Sequence, residues 1–301
     1  MISRKYLYLI ALAREQHFGR AAAICHISPS TLSAAIRDIE VELGTTVVKR
    51  GRTFSGLTLE GQRVVDYALQ MRSKADNLKQ ELDSLRHALS GNLVLGVIPT
   101  ALTVVANLSA ALIQTYPFIT LQILSLCSDE IFQRMQRFEV DAGIVYVESG
   151  NEQACYTLPL WTERYVFVSA TQANLFAQHH TLTWQQASQT PLCLLTPNMH
   201  NRRILNSIFR QLDIVLTPAL ETDSILSMLA HVATGHWATI LPETLLNTLG
   251  TIHGLSTHQL VSPAFTWQTG LVVQGREPWS PLLNALISTA QQLPTLCIKS
   301  E

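Results

Sequence analysis

The chain has 301 residues, of which 47% are hydrophobic and 14% are charged, and its formal net charge is -1. A chain of this length and composition can form two or three domains, each with its own hydrophobic core. Its five cysteines lie far apart and include no C-x-x-C pair. This spacing excludes a disulfide framework and favours reduced thiols in a cytoplasmic protein.

Charge is unevenly distributed along the chain. Residues 1–90 contain 13 Lys/Arg and 9 Asp/Glu, a balance of +4, whereas residues 91–301 contain 8 and 13, a balance of -5. A basic segment followed by an acidic one suits a phosphate-binding module joined to a sensor. Because four net charges are few, we expect non-specific DNA affinity to be modest and sensitive to salt.

Two short helices joined by a turn are predicted between Arg20 and Leu43, and the second one opens with Ser28-Pro29-Ser30. Its apolar residues fall on one face, at spacings of four, three and four: Leu32, Ile36, Ile39 and Leu43. The opposite face carries short or basic side chains: Ser30, Thr31, Ser33, Ala34 and Arg37. This pattern predicts a helix-turn-helix whose second helix enters the DNA major groove. The alternative is an ordinary surface helix in an α-helical hairpin.

The segment after Gly44 predicts a short strand at residues 45–48 and then a basic loop that contains Lys49, Arg50 and Arg52. A strand and a basic loop directly behind a recognition helix form the wing arrangement, which is placed to hold phosphates.

A long helix is predicted from Thr58, its N-cap, to about Leu89. Apolar residues recur along it at alternating spacings of four and three: Val64, Ala68, Met71, Ala75, Leu78, Leu82, Leu85 and Leu89. A register sustained over more than three heptads predicts a coiled-coil seam and therefore a dimer. Paired heads can read paired DNA half-sites, which lie about one helical turn apart or multiples of it.

From Gly91 onward, strand-like and helix-like segments alternate, which predicts a doubly wound α/β body. The predicted strands are 93–98, 121–126, 142–147, 165–169, 192–196, 219–222, 239–241 and 270–274. The predicted helices include 101–115, 130–138, 202–212, 224–234 and 281–293. Neither an export signal nor a membrane-spanning segment is predicted.

The run FGRAAAICHISPSTLSAAIRDIEVELGTTVVKRGR resembles the N-terminal signature of LysR-type transcriptional regulators. It shares the paired Ala after the aromatic residue, the Ser-initiated recognition helix, the Ile/Leu-Glu-x-x-Leu-Gly exit and the Arg-bearing wing. The resemblance covers essentially the full chain. It implies a winged helix-turn-helix domain at 1–57, a linker and dimerisation helix at 58–90, and an effector-binding domain at 91–301.

The resemblance also implies how the effector-binding domain is built. It would comprise two α/β subdomains like those of periplasmic solute-binding proteins, subdomain I at about 91–163 and 268–301 and subdomain II at about 164–267. Two crossing strands, near 163–170 and 263–271, would join them.

Two positions depart from the family pattern. Pro29 stands where members commonly carry Gln, and Ala34 replaces a basic residue. We therefore expect DNA contacts from the remaining positions of the second helix and from the wing. The predicted DNA-binding residues are Ser28, Ser30, Thr31, Ser33, Arg37, Lys49, Arg50 and Arg52.

Ligands of such two-subdomain folds sit between the subdomains, where strand ends meet helix N-termini and backbone N–H groups favour an anion. The predicted effector-binding residues are Pro99, Thr100, Ser128, Thr196, Asn198, His200, Asn201, Arg202 and Thr222. The Thr100 hydroxyl either caps its helix or binds a carboxylate, and this family's pocket usually uses Ser or Thr there.

Arg202 and Arg203 form an unusual pair, because they lie in the first turn of a predicted helix and oppose the positive end of its dipole. An anionic ligand would offset that cost. The alternative is a solvent-facing pair bound to nearby acidic residues.

The sequence carries no G-x-S-x-G, P-loop or G-x-G-x-x-G motif and no metal-ligand spacing, so we expect neither catalysis nor a cofactor. It favours a transcription regulator that binds double-stranded promoter DNA and a small-molecule inducer as a homodimer or homotetramer. The stretch PLCLLTPNMHNRRI also resembles family members found beside formate dehydrogenase operons, which implies a small carboxylate such as formate. The alternative is a solute-binding protein or an enzyme on the same α/β scaffold.

Overall fold

The computed structural model describes residues 2–49, 54–84, 88–147, 155–173, 176, 180–250, 252–275 and 279–293. It divides into two compact units, Met1–His87 and Ala88–Glu301. Among the described residues, no helix is both long and apolar enough to cross a membrane.

The described residues of the N-terminal unit form four helices: α1 (Arg4–Glu15), α2 (Phe18–Ile24), α3 (Pro29–Leu43) and α4 (Leu59–Ser84). Helices α1, α2 and α3 pack on one another, and α1 also contacts α4. As predicted, α3 buries Leu32, Ile36 and Ile39. Leu43 is the exception, because it is the last residue of α3 and remains exposed beside the Gly44 C-cap.

The strand predicted at 45–48 is wrong. Among the described residues, the segment forms an isolated bridge at Val48, antiparallel to Leu57, which is flanked by hydrogen bonds from the Thr58 N–H to the Val47 oxygen (3.1 Å) and from the Lys49 N–H to the Gly56 oxygen (3.0 Å). The carboxylate of Glu40 explains the difference, because its Oε1 accepts hydrogen bonds from the N–H groups of Val47 (2.8 Å) and Val48 (3.3 Å). These donors are thereby satisfied by a side chain instead of a second strand.

Helix α4 begins where the sequence predicts. The Thr58 Oγ1 accepts a hydrogen bond from the Gly61 N–H at 2.9 Å and donates one to the Thr46 carbonyl oxygen at 2.6 Å. The predicted extent to Leu89 is wrong, because Leu89 is not helical and packs against the core of the C-terminal unit. Leu85, another predicted seam residue, lies outside the described residues.

The C-terminal unit is built on a mixed sheet of eight strands with the order β2-β1-β3-β10-β4-β9-β5, and β8 also pairs with β4. A further pair, β6 and β7, is parallel. The strands are β1 (Ser90–Val97), β2 (Phe118–Ser125), β3 (Ala142–Tyr146), β4 (Cys155–Ala170), β5 (Thr181–Thr183), β6 (Cys193–Leu195), β7 (Leu220–Thr222), β8 (Thr239–Pro242), β9 (Leu255–Val261) and β10 (Thr266–Gln274).

The helices of this unit are α5 (Val105–Thr115), α6 (Ser128–Gln136), α7 (Trp184–Ser188), α8 (His200–Gln211), α9 (Ile225–Ala233), α10 (Glu243–Leu249) and α11 (Pro281–Gln292). The sequence analysis did not predict β5, β9, α7 or α10. The helix predicted from residue 101 begins as a 3-10 turn at Pro99–Ala101, and α5 starts only at Val105.

Strands β4 and β10 run through both halves of the unit. The first part of β4 pairs antiparallel with β10, whereas its last residues pair with β8 and β9. We use subdomain I for β1–β3 with α5, α6 and α11, and subdomain II for β5–β9 with α7–α10. The two long strands connect these subdomains, so residues on them and at the facing helix ends define a cleft.

Candidate DNA interface and effector cleft

The N-terminus of α3 carries a cluster of hydroxyl groups. Ser28 is the N-cap, and its Oγ accepts a hydrogen bond from the Thr31 N–H at 3.1 Å. The same oxygen lies 2.7 Å from Ser30 Oγ and 2.8 Å from Thr31 Oγ1. Pro29 occupies the first helical position, where the missing N–H costs nothing. The departure from the family pattern at Pro29 therefore suits the start of the helix.

The predicted DNA-binding residues are mostly accessible. Ser28, Ser30, Thr31, Arg37 and Lys49 are exposed, and Ser33 is half-buried. The Arg37 Nε donates to the Ser33 carbonyl oxygen one turn earlier at 3.4 Å. Arg50 and Arg52 lie outside the described residues. The exposed hydroxyls and the Arg37 guanidinium are groups that can donate hydrogen bonds to phosphates and base edges.

Two pockets lie in the cleft of the C-terminal unit. The Arg203 pocket has a volume of about 760 Å³ and is lined by Ser128, Asp129, Phe132, Met135, Gln136, Tyr146, Cys155, His200, Arg203, Ile204, Ser207, Trp267 and Gln274. The Thr196 pocket has a volume of about 930 Å³, and its lining includes Pro99, Thr103, Thr196, Asn198, Met199 and Leu245. The predicted residues Thr100, Asn201, Arg202 and Thr222 line neither pocket.

Thr100 and Asn201 belong instead to a buried network of polar groups between the pockets' walls. The Thr100 Oγ1 lies 3.1 Å from the Tyr146 hydroxyl, and Asn201 Nδ2 donates to the Tyr165 hydroxyl at 3.0 Å. Both residues are almost completely buried. Because these polar groups bond to other protein groups, Thr100 and Asn201 support the walls of the cleft and do not face a ligand.

Glu163 on β4 is completely buried in the same network. Its Oε1 accepts hydrogen bonds from Trp161 Nε1 at 2.9 Å and from Thr244 Oγ1 at 3.4 Å. Burial is the largest influence on its pKa and raises it to about 7, against the opposing effect of these donors and of Tyr146 and Thr269. Burial likewise raises the pKa of Tyr146 and Tyr165, and the neighbouring Glu163 adds to both effects.

Arg202 has a structural role. It is buried, and its Nη1 donates to the Glu221 carboxylate at 2.6 Å and to the Leu195 carbonyl oxygen at 2.8 Å. Its Nε donates to Asn206 Oδ1 at 2.9 Å. The positive charge is therefore matched by Glu221 within subdomain II. This arrangement agrees with binding to nearby acids, although Arg202 does not face solvent.

Arg203 points across the cleft. Its Nη1 donates to Asp129 Oδ2 at 2.8 Å and its Nη2 to Asp129 Oδ1 at 3.4 Å, which joins α8 to α6. The hydrogen bond from Arg203 lowers the pKa of Asp129. His200 lies next to this pair, 3.3 Å from Arg203 Nη2, and its ring stacks on Tyr146 at a centroid distance of 5.2 Å.

Sequence reasoning missed several residues that line the Arg203 pocket, notably Asp129, Phe132, Tyr146, Trp267 and Gln274. Asp129 directly precedes the predicted helix 130–138, and this position could have marked it as a pocket residue. Nothing in the sequence indicated that Trp267, on a crossing strand, would reach the same pocket.

Two of the predicted effector residues carry a buried hydroxyl group. Ser128 Oγ and Thr196 Oγ1 are inaccessible and have no hydrogen-bond partner among the described residues. Gln274 Oε1 on β10 is also inaccessible and has no hydrogen-bond partner among the described residues. Buried polar atoms without partners are costly, so they mark places where a bound molecule or water completes the bonding. The Thr222 hydroxyl, in contrast, accepts from the Ser224 N–H at 3.2 Å.

The described cysteines are Cys25, Cys127, Cys155 and Cys193, and all four are free thiols. Burial raises the pKa of each of them, to about 11 for Cys193. In the described part of the chain, no group of three or more His, Cys, Asp or Glu residues is arranged to hold a metal ion.

Comparison with known proteins gives two family matches. Residues 3–62 match the bacterial regulatory helix-turn-helix proteins of the lysR family, and residues 86–294 match the LysR substrate binding domain. The two matches include α1–α3 and both pockets.

Individual relatives are consistent with these matches. The chain is 31% identical over 157 residues to the DNA-binding transcriptional dual regulator OxyR of Escherichia coli, an alignment that spans 52% of this chain and 51% of that protein. It is 25% identical over 288 residues to a hydrogen peroxide-inducible genes activator of Haemophilus influenzae, covering 92% and 91% of the two chains.

Solved structures show the same fold over nearly the whole chain. A full-length OxyR variant from Pseudomonas aeruginosa superposes with a TM-score of 0.77 at 21% identity, covering 99% of this chain and 97% of that one. CbnR in complex with its target DNA superposes with a TM-score of 0.66 at 15% identity, covering 97% and 99%. The chain belongs to the LysR family of DNA-binding transcriptional regulators.

Proposed function

We propose that this regulator reads promoter DNA with the exposed face of α3 and the wing, and that a small anionic metabolite held in the cleft sets its DNA-bound state. The observation that carries the second part is the pair of unsatisfied hydroxyls, Ser128 from subdomain I and Thr196 from subdomain II. Ser128 lines the Arg203 pocket and Thr196 lines the Thr196 pocket, and both pockets have walls from both subdomains. A molecule bound in either pocket would therefore bind differently as the subdomains move, which is the requirement for allosteric coupling.

The oligomeric part of the proposal concerns α4. Met71, Leu78 and Leu82 lie on the predicted seam and are 45%, 56% and 51% exposed in the single chain. We propose that a second copy covers this stripe in a coiled-coil dimer, and that further contacts give a tetramer. The protein then acts in the cytoplasm as a homo-oligomer without a membrane partner.

Formate is the smallest inducer that we propose, from the resemblance of residues 191–204 to regulators found beside formate dehydrogenase operons. A peroxide response is the function named for the relative from Haemophilus influenzae. For this chain we favour ligand binding over thiol oxidation, because peroxide reacts with thiolates and burial raises the pKa of the four described cysteines.

A thermal-shift titration of the full chain with formate, acetate and larger carboxylates tests the proposal, because a ligand that binds only the folded state raises Tm. Footprints on promoter DNA with and without the same compounds show whether binding reaches the DNA. The variant Ser128→Ala, in the wall of the Arg203 pocket, should lose the response and keep DNA affinity, whereas Thr115→Val, at the exposed end of α5, should keep both. Substrate turnover without DNA affinity would instead favour an enzyme or solute-binding protein.

A further inference from the structure

The Arg203 pocket is closed on one side by an ion pair between the two subdomains. Asp129 lies in the first turn of α6 in subdomain I, and Arg203 lies in the first turn of α8 in subdomain II. Two hydrogen bonds join them, at 2.8 and 3.4 Å. A fork of this kind fixes both the distance and the relative orientation of the two helix ends.

The pair is accessible to a competitor. The side chains of Arg203 and Asp129 are 42% and 61% exposed, so the pair is worth little energy of its own in water. Arg203 also lies at the positive end of the α8 dipole, where a cation gains from any anion that approaches. A carboxylate on a ligand offers Arg203 the same planar geometry as Asp129 does.

The rest of the pocket indicates what such a ligand carries besides its carboxylate. Phe132 and Met135 on α6, Ile204 on α8 and Trp267 on β10 supply apolar surface. The volume of about 760 Å³ lies within the range of pockets for molecules much larger than formate. The buried Ser128 Oγ and Gln274 Oε1, which lack partners among the described residues, supply one hydroxyl and one amide oxygen for polar substituents.

We propose that the Asp129–Arg203 pair is a latch across the cleft, opened by a carboxylate with an apolar body of about six to ten carbon atoms that takes Arg203 from Asp129. This proposal rests on the proposed function and names the ligand class and the switch of that site. When the ligand holds Arg203, α6 loses its tie to α8, and the ligand's apolar body fills the pocket between them. The two subdomains then adopt the separation that the ligand dictates.

Binding to the full-length protein tests the ligand class, with 3-phenylpropanoate as the probe in isothermal titration calorimetry. We expect the acid to bind about tenfold or more tightly than 3-phenylpropanamide, acetate or formate, because only the acid has both the charge and the body. Arg203→Gln should weaken binding of the acid about tenfold or more. The matched variant Arg210→Gln, at the exposed C-terminal turn of the same helix, should bind as the wild type does.

Asp129→Asn tests the latch itself. Because this variant removes the competing carboxylate and keeps its shape, the acid should bind several-fold more tightly than it does to the wild type. Without any ligand, Asp129→Asn should also give a DNA footprint that differs from that of the ligand-free wild type, because the tie between α6 and α8 is lost. If Arg203→Gln fails to fold, Arg203→Lys, which keeps the charge and loses the fork, should bind the acid more weakly than the wild type.

Weaker binding of the acid to Asp129→Asn, or an unchanged footprint of this variant, would overturn the latch. Binding of formate or acetate in preference to 3-phenylpropanoate, with a change of footprint, would overturn the ligand class and leave the proposed function intact. No binding of any carboxylate and no effect on the footprint would contradict the proposed function as well.

Discussion

The two units of this protein differ in the exposure of their polar groups and in how far apart in the chain the bonded groups lie. In the N-terminal unit, Ser28, Ser30, Thr31 and Arg37 are exposed, and the hydroxyls bond to one another within a single helical turn. In the C-terminal unit, the network around Glu163 is buried and joins groups far apart in the chain. Exposed local groups can exchange their partners for DNA at little cost, whereas buried long-range groups hold the cleft in one geometry.

In the N-terminal unit, we expect substitutions in the apolar stripe of α4 to have the largest effect on DNA binding. Met71→Glu combined with Leu78→Glu should give a monomer that binds two-half-site DNA about 1,000-fold more weakly, because pairing of the heads is lost. Sedimentation and anisotropy titrations measure both quantities. Gln70→Glu adds one negative charge on the same helix beside the stripe and should keep the dimer. A double variant that remains dimeric would show that the seam lies elsewhere.

On the buried side, Glu163 should make stability depend on pH. Its folded pKa of about 7 lies above the ordinary 4.5, so the folded protein holds the proton more tightly than the unfolded chain. The contribution of Glu163 to the free energy of unfolding is therefore complete below about pH 4.5 and falls by about 1.4 kcal/mol per pH unit up to about 7, roughly 3 kcal/mol in all.

Urea unfolding of the wild type and Glu163→Gln between pH 5 and 8 measures this difference. The amide carries no proton to lose, so the variant should show a flatter profile. Glu139→Gln, an exposed position, should follow the wild type. Parallel profiles for wild type and Glu163→Gln would mean that the carboxyl titrates as it does in water.

Arg37 should give a smaller effect, confined to DNA. Arg37→Gln should lower promoter affinity about tenfold and reduce the slope of log K against log salt by about one if the contact is to phosphate. Arg14→Gln on α1 is the matched control, because its side chain is also exposed. Unchanged affinity of Arg37→Gln in the same titration would remove this residue from the interface.

Ser28 should give the smallest effect. Ser28→Ala removes the acceptor for the Thr31 N–H and should cost about 1 kcal/mol of unfolding free energy, whereas Ser28→Asp should restore the cap. Thermal unfolding measures both. Equal stability of all three proteins would show that water replaces the hydroxyl without loss.

The same contrast explains what the sequence could and could not predict. The spacing of Leu32, Ile36 and Ile39 and the cap at Ser28 depend on neighbours within one or two turns, so α3 was predictable to the residue at its start. The apolar runs also predicted the second part of β1 (93–97) and of β10 (270–274), but not where these strands begin.

The cleft was less predictable, because its contacts join distant segments. Thr100 and Asn201 were correctly placed at strand-to-helix junctions. Only the fold shows that the Thr100 hydroxyl is bonded to the Tyr146 hydroxyl and the Asn201 amide to the Tyr165 hydroxyl. Likewise, the two neighbouring arginines of α8 point in different directions, so Arg202 pairs with Glu221 and Arg203 pairs with Asp129. The false strand at 45–48 failed for the same reason, since Glu40 supplied the acceptor.

Selection from a pool of random duplexes with the full-length protein tests the central claim most directly. If the exposed faces of two α3 helices read DNA together, the enriched sequences should form an inverted repeat whose half-sites lie about one helical turn, or a multiple of it, apart. The double variant Met71→Glu with Leu78→Glu, in which pairing of the heads is lost, should not enrich the repeat. No enriched repeat for the wild type, or the same repeat with the double variant, would contradict the account.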